Sequence, residues 1–186
     1  MRSHRFVILF VLCFMVLCPF SVLAQYGDPV AILEYFDDDL EVGITDVEGE
    51  TISDIYFGME LEIGDTIKTN DTTAELWLDP NGTIIKLSSD TIFTIVGLQK
   101  TEAESNAFTL TLGKIHALAA SSDSGENYEF TTPTASLGIR GTEFGVVYIP
   151  GSEEQAYVIE GVVSYTKRST NRTIDLSGGM YGDVRA

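Results

Sequence analysis

Apolar and polar residues alternate one by one along Phe108-Thr109-Leu110-Thr111-Leu112. This period of two restricts the fold more than any other feature, because it places every second side chain on one face of an extended strand. Ala74-Glu75-Leu76-Trp77-Leu78 repeats the pattern, and Ala31–Phe36, Ile84–Leu87, Thr91–Ile95, Phe144–Tyr148, Ala156–Ile159 and Val162–Tyr165 are similar short runs rich in β-branched and aromatic residues. Turn residues separate them, among them Gly49, Gly58, Gly64-Asp65, Gly97, Gly113, Pro150-Gly151, Gly161 and Gly178-Gly179. The clearest local element is a hairpin. Asp79-Pro80-Asn81-Gly82 lies between two alternating runs; Pro80 fixes φ, and Gly82 takes the left-handed position that closes the turn. Residues Leu98–Asn106 admit one short helical turn or a polar loop. No window sustains a helical period and no exact repeat is present, so the pattern predicts an all-β domain of many short strands: a sandwich, a barrel or a solenoid.

The first residues read differently. Arg2, His4 and Arg5 precede the unbroken apolar run Phe6–Leu17; Pro19 and Ser21 interrupt it, and Val22-Leu23-Ala24 has the form of a signal-peptidase site. Residues 1–24 are therefore read as a helical export signal with cleavage before Gln25; an uncleaved anchor is the alternative. Leu17 is too large for the residue before a lipidated Cys18. Both cysteines, Cys13 and Cys18, lie inside this segment. The exported chain then has no disulfide, no cysteine metal site and no thiol nucleophile. About 160 residues remain, which suits one domain with a core of its own. The formal charge is −17 at pH 7, and loss of Arg2 and Arg5 makes it more negative. Such a surface repels phosphate backbones and anionic lipid, which argues against nucleic acid and against membrane insertion after cleavage.

The segment Thr132-Pro133-Thr134-Ala135-Ser136-Leu137-Gly138-Ile139-Arg140-Gly141-Thr142-Glu143-Phe144 matches the pattern TP-x-A-x-x-G-x-R-G-T-x-F. Upstream, Gly58 to Thr69 fits G-x-x-L-x-x-G-D-x-I-x-T, and Ala74 to Thr83 fits A-x-L-x-L-x-D-G-T with one extra residue and Asn81 at the Asp position. Leu110–Ile115, Val158-Ile159-Glu160-Gly161-Val162-Val163 and Leu176–Gly179 follow in order. Together these resemble the FecR domain, a bacterial envelope module. The resemblance implies a twisted, β-solenoid-like stack over residues 52–186, with residues 25–51 supplying strands that lead into it. The family positions are Gly64, Asp65, Gly82, Thr132, Pro133, Gly138, Arg140, Gly141, Thr142, Phe144, Glu160 and Gly161, and their expected part is structural.

Their chemistry supports that part. Gly64-Asp65 suits a tight turn with the Asp carboxylate bonding the amides that follow. Pro133, without an amide proton, belongs at a strand start or edge. Gly138 and Gly141 are expected to mark a bulge or corner, and Ala135 and Ser136 fit a crowded layer. Arg140 stands among small and apolar neighbours, so a partly buried guanidinium clamped by carbonyls or a distant acid is expected, and Arg140→Lys would then destabilise the domain. The alternative is a contact for a partner or an anionic ligand.

No constellation for catalysis emerges. His116, the one histidine past the leader, has no second histidine or cysteine to complete a metal site and reads as a structural or surface residue. Ser121, Ser122 and Asp123 lie nearby without a nucleophile elbow. Asp37-Asp38-Asp39 with Glu41 lacks the ligand spacing of a calcium loop and reads as a solvated turn. Asn70, Asn81 and Asn171 begin N-x-T triplets, which in an envelope protein are turn residues. No cofactor and no metal are expected. FecR proteins of the sensor type carry a cytoplasmic anti-sigma segment and a C-terminal signalling domain; five residues before the apolar run leave no room for the first, so sigma-factor control and iron-citrate sensing are not carried over. The expected function is a non-catalytic interaction or signalling module, periplasmic or secreted, that meets another envelope protein or a cell-surface polymer. A divalent-cation or polysaccharide binder is the alternative, an acidic-residue hydrolase a more distant one. N-terminal sequencing of the exported protein is expected to begin at Gln25; a retained Met1 or Arg2 means an anchored form.

Overall fold

The computed structural model describes residues 28–101, 103–120, 127–152 and 154–183. The leader expected over residues 1–24, and Ser121, Ser122 and Asp123, lie outside them. Among the described residues there are sixteen strands and no helix. In chain order the first eight are β1 (Val30–Phe36), β2 (Val42–Thr45), β3 (Thr51–Ile52), β4 (Met59–Leu61), β5 (Thr66–Thr69), β6 (Ala74–Asp79), β7 (Thr83–Leu87) and β8 (Thr91–Gly97). The second eight are β9 (Asn106–Leu118), β10 (Tyr128–Thr131), β11 (Ala135–Ile139), β12 (Glu143–Tyr148), β13 (Gln155–Glu160), β14 (Val162–Lys167), β15 (Arg172–Ser177) and β16 (Tyr181–Asp183). The described residues between Gly97 and Asn106 form a polar loop, in which Glu104 accepts bonds from the Lys100 and Thr101 amides. Among the described residues no helix is long and apolar enough to cross a membrane.

Two sheets share one strand. The first runs β4-β1-β6-β7-β9-β12-β13-β16 and the second β3-β2-β5-β8-β9-β10-β11-β14-β15. The N-terminal half of β9 lies between β8 and β10, its C-terminal half between β7 and β12. Its alternation sends Phe108, Leu110, Ile115 and Ala117 inward, and the change of sheet falls at Gly113, whose φ is +102°. Apart from β9 alongside β10, all the pairings are antiparallel. The predicted hairpin is present as β6 and β7, closed by Gly82 at φ +78° and by Asn81 Oδ1 accepting the Thr83 amide at 2.9 Å.

Period two also explains the two surfaces of each sheet. Inward residues fill the core, where Phe93, Phe108, Phe130 and Phe144 form a continuous chain with centroid separations of 5.5, 4.9 and 5.0 Å. Each contributes on the order of 2 kcal/mol by leaving water. On the outer face of the second sheet, Thr51, Thr45, Thr66, Thr94, Thr109, Thr131, Ser136, Thr166 and Thr173 stand opposite one another, one per strand across all nine. Several hydroxyls bond across the strands, at 2.9 Å for Thr66 with Thr94 and for Thr109 with Thr131, and 2.8 Å for Thr166 with Thr173. Such cross-strand pairs hold register while leaving the face polar.

The corners where the chain changes sheet are built from threonine and left-handed residues. Asp90 has φ +54° and Thr91 follows, its hydroxyl accepting the Lys114 amide at 3.1 Å; Gly113 passes so close that a Cβ there would sit 2.6 Å from the Asp90 carbonyl oxygen. The same device recurs at Gly141 (φ +53°), Thr142 and Gly161 (φ +88°), where a Cβ on Gly161 would sit 2.8 Å from the Gly141 carbonyl oxygen. Gly113→Ala combines a disfavoured φ with a backbone clash and is expected to remove about 3 kcal/mol of stability in urea or guanidinium unfolding. Asp90→Gly, at a φ that glycine accepts freely, is expected to change it by under about 1 kcal/mol.

Candidate functional site

The family segment forms the turn after β10, strand β11, the corner that follows it and the start of β12. Thr132 is buried between β10 and β11, and its hydroxyl accepts the Ala135 amide at 2.9 Å and the Thr134 amide at 3.2 Å. This local loop leaves Pro133 at the exposed apex, where a missing amide proton costs nothing. Against the loop lies Glu154, only 2% exposed. One carboxylate oxygen, Oε2, accepts the Thr132 hydroxyl at 2.9 Å and also contacts the Thr134 hydroxyl; Oε1 has no hydrogen-bond partner among the described residues. Sequence reasoning missed Glu154. Its only signal is a charged residue where the alternation of Glu154-Gln155-Ala156 calls for an inward side chain.

At the other end, Thr142 is buried and its hydroxyl reaches the Arg140 carbonyl at 3.0 Å and the Val162 carbonyl at 3.1 Å. Gly161 closes onto it, and the Gly178 amide donates to the Gly161 carbonyl at 3.0 Å, so three successive turns stack. Phe144 follows into the core. Glu160 is exposed opposite Glu143. Gly64 (φ +106°) and Asp65 occupy a distant corner; Asp65 Oδ2 accepts the Glu62 amide at 2.8 Å, so the carboxylate bonds backward along the chain rather than to the amides that follow, as expected from the turn pattern. Gly138 departs from expectation too. It lies in the regular ladder of β11, opposite Glu129 and Ser164, with no bulge and no positive φ.

Arg140 carries the largest difference. Its side chain is exposed, and no carboxylate of the described residues is within 4 Å of it. The partly buried clamp expected from its neighbours is therefore corrected: those neighbours alternate inward along β11 while Arg140 points to solvent. The guanidinium borders an open outer groove of about 790 Å³ beside Gly138, Ser136, Ser164, Thr166 and Glu129. Small side chains form its floor, with the Ser136 hydroxyl donating to Glu129 at 3.0 Å and that of Ser164 to Asp175 at 2.7 Å. Hydroxyls, carboxylates and one cation can bind a polar partner; the groove brings together no nucleophile with a base. His116, on the first sheet, shares a face with Lys114 and Leu118 as its alternation predicts, and its Nε2 lies 3.0 Å from Glu143 Oε1. Among the described residues no group of three or more His, Cys, Asp or Glu side chains is placed to hold a metal ion.

A family model described as FecR protein matches residues 65–164, from the buried Asp65 to the middle of β14. Two crystal structures of a candidate anti-sigma factor from Parabacteroides distasonis ATCC 8503, at 1.65 and 2.50 Å resolution, superpose on the chain with a TM-score of 0.56 at 16% identity. Each superposition covers 64% of this chain and 54% of the other, so the chain spans about half the length of that protein; at such identity the likeness concerns the fold. No curated protein gives a match to the chain.

Glu154 and Thr132 form one unit, which makes their energetics testable. Glu154→Ala and Thr132→Val are each expected to lower unfolding free energy by about 2 kcal/mol, and the double variant by about 1 kcal/mol less than the sum. Full additivity in a double-mutant cycle would remove the coupling.

Proposed function

Because the chain belongs to the FecR family, we propose that it is a non-catalytic module of the bacterial envelope, exported by its leader, that binds another protein in a signalling pathway. The observation that carries this reading is the division of roles within the family segment. Thr132, Gly141, Thr142, Phe144 and Gly161 are engaged by the fold through buried hydroxyl bonds, left-handed turns and core packing. Arg140 is not, and it presents a charged fork in an open groove. A guanidinium is suited to paired recognition of a carboxylate on a partner. The solved relative's description as an anti-sigma factor supports a regulatory setting.

A second reading has its own observation. The row of hydroxyls across the second sheet, continued by Ser164 and Asn127 at the groove, offers a line of hydrogen-bonding groups to a cell-surface polysaccharide.

Affinity capture from envelope extracts tests the first reading. The wild-type chain is expected to retain a specific protein, and Arg140→Ala to reduce that retention about tenfold while leaving unfolding free energy within about 0.5 kcal/mol. Undiminished capture by Arg140→Ala overturns the role of the groove. Retention of glycan in place of protein, lost with Ser136→Val, favours the polysaccharide.

A further inference from the structure

We propose that the aromatic end of the first sheet, where β1 meets the loop before β4, is a second docking surface, and that it takes a basic segment of another protein with apolar side chains between its Arg or Lys residues. This surface is distinct from the Arg140 groove. Strands β1 and β4 lie at one edge of the first sheet, whereas β11 and β14 lie toward the far edge of the second.

Its geometry begins with a register shift in β1. Between Leu33 and Tyr35 the pairing with β6 slips, so Glu34 and Tyr35 both face solvent. Bulges of this kind re-aim side chains at the margin of a sheet. Tyr35 then lies nearly parallel to Phe57, at 14° and 6.2 Å between centroids, and Phe57 packs on Phe36 at 4.3 Å. Phe36 belongs to the core, yet Phe57 is 60% exposed, Tyr56 56% and Tyr35 48%. The stack is thus rooted in the fold and already ordered, with apolar faces turned to water.

Charge identifies the partner. From Asp28 to Ile67 the chain carries thirteen carboxylates and no Lys, Arg or His. The first cation on the neighbouring strands, Lys86, is held by Glu75 at 3.0 Å. Asp37 accepts the Tyr35 hydroxyl and, at 2.8 Å, that of Thr73; the Tyr35 bond, with the Thr73 bond second, lowers its pKa below the ordinary aspartate value, so it keeps its charge in mildly acidic surroundings. Guanidinium and ammonium groups stack on aromatic faces and pair with carboxylates, and the apolar faces need side chains that a free ion lacks. A second copy presents the same negative end, which disfavours a symmetric pair here.

Titration calorimetry of the full chain tests this surface, with a short peptide of alternating Arg and Leu as the probe and its Glu-Leu counterpart as the control. The Arg-Leu peptide is expected to bind and the Glu-Leu peptide not. Phe57→Ser, which removes a ring face, and the double variant Glu34→Gln, Asp37→Asn, which keeps the rings, are each expected to weaken binding about tenfold. Circular dichroism melting checks that each variant folds, and the double variant decides should Phe57→Ser not. No binding, or wild-type affinity in folded variants of both kinds, overturns the proposal. Sedimentation showing self-association that Phe57→Ser abolishes assigns the surface to a second copy and overturns it equally. Arg140→Ala is expected to bind the peptide as the wild type does. Loss of peptide binding with Arg140-dependent capture intact would remove this surface alone; the converse would remove only the groove.

Discussion

A chain that passes repeatedly between two sheets must satisfy its backbone polar groups at every crossing, and this constraint governs the molecule. A buried amide or carbonyl left without a partner costs about 1–3 kcal/mol, comparable to a large part of a domain's net stability. The answer here is threonine. Among the described residues, six of the nine buried polar or charged side chains are Thr: Thr69, Thr72, Thr83, Thr91, Thr132 and Thr142. Thr69 accepts the Thr91 amide at 3.0 Å, Thr83 the Ala120 amide at 3.0 Å, and Thr132 the Ala135 amide. A short branched side chain with one hydroxyl both packs like valine and bonds like a turn, so it fits a corner that neither a longer amide nor an aliphatic residue could fill.

The family segment acquires a physical meaning from this. Gly141-Thr142 against Gly161 repeats the arrangement of Asp90-Thr91 against Gly113: a left-handed residue, a threonine whose hydroxyl ties the crossing, and a glycine that lets the later strand approach. The two corners share the threonine and the later glycine and differ at the left-handed residue, since Asp and Gly both accept that region. An internal repeat of this sort escapes inspection of the sequence, where no repeat is visible.

Much of the fold was nonetheless legible. Alternation located β6, β7, β8, β12, β13 and β14 to within a residue or two, because those strands bury one clean face. It missed β2 to β5, β10 and β16, which are two to four residues long, β11, which is read only as part of the family segment, and β15, exposed on both faces except for Leu176. Strands so short, or so exposed, leave little periodic trace. The shared use of β9 left a smaller trace: its inward positions run Phe108, Leu110 and then Ile115, Ala117, so the alternation slips by one residue near Gly113, where the strand passes from one sheet to the other. Arg140 shows the limit for a site. Neighbours in sequence along a strand lie on opposite faces, so apolar company at Ile139 says nothing about the environment of the next side chain. Glu154 shows the converse, a carboxylate buried by partners twenty residues upstream that only the folded chain brings near.

Corners and core hold this architecture, and that has a consequence for its surfaces. The outer faces of both sheets contribute little to closing the crossings, so their side chains are free to be selected for contact. The Arg140 groove sits over small residues of β11 and β14, and the Phe57 stack over a register slip in β1. Neither surface shares a corner with the other. A substitution on one surface therefore requires no compensating change on the other. The chain's strong negative charge then acts as polarity rather than as mere solubility: the carboxylates crowd the first third of the chain, while Lys167, Arg168 and Arg172 gather at the turn between β14 and β15. A cationic partner approaching such a molecule is steered toward its more acidic end before any contact forms.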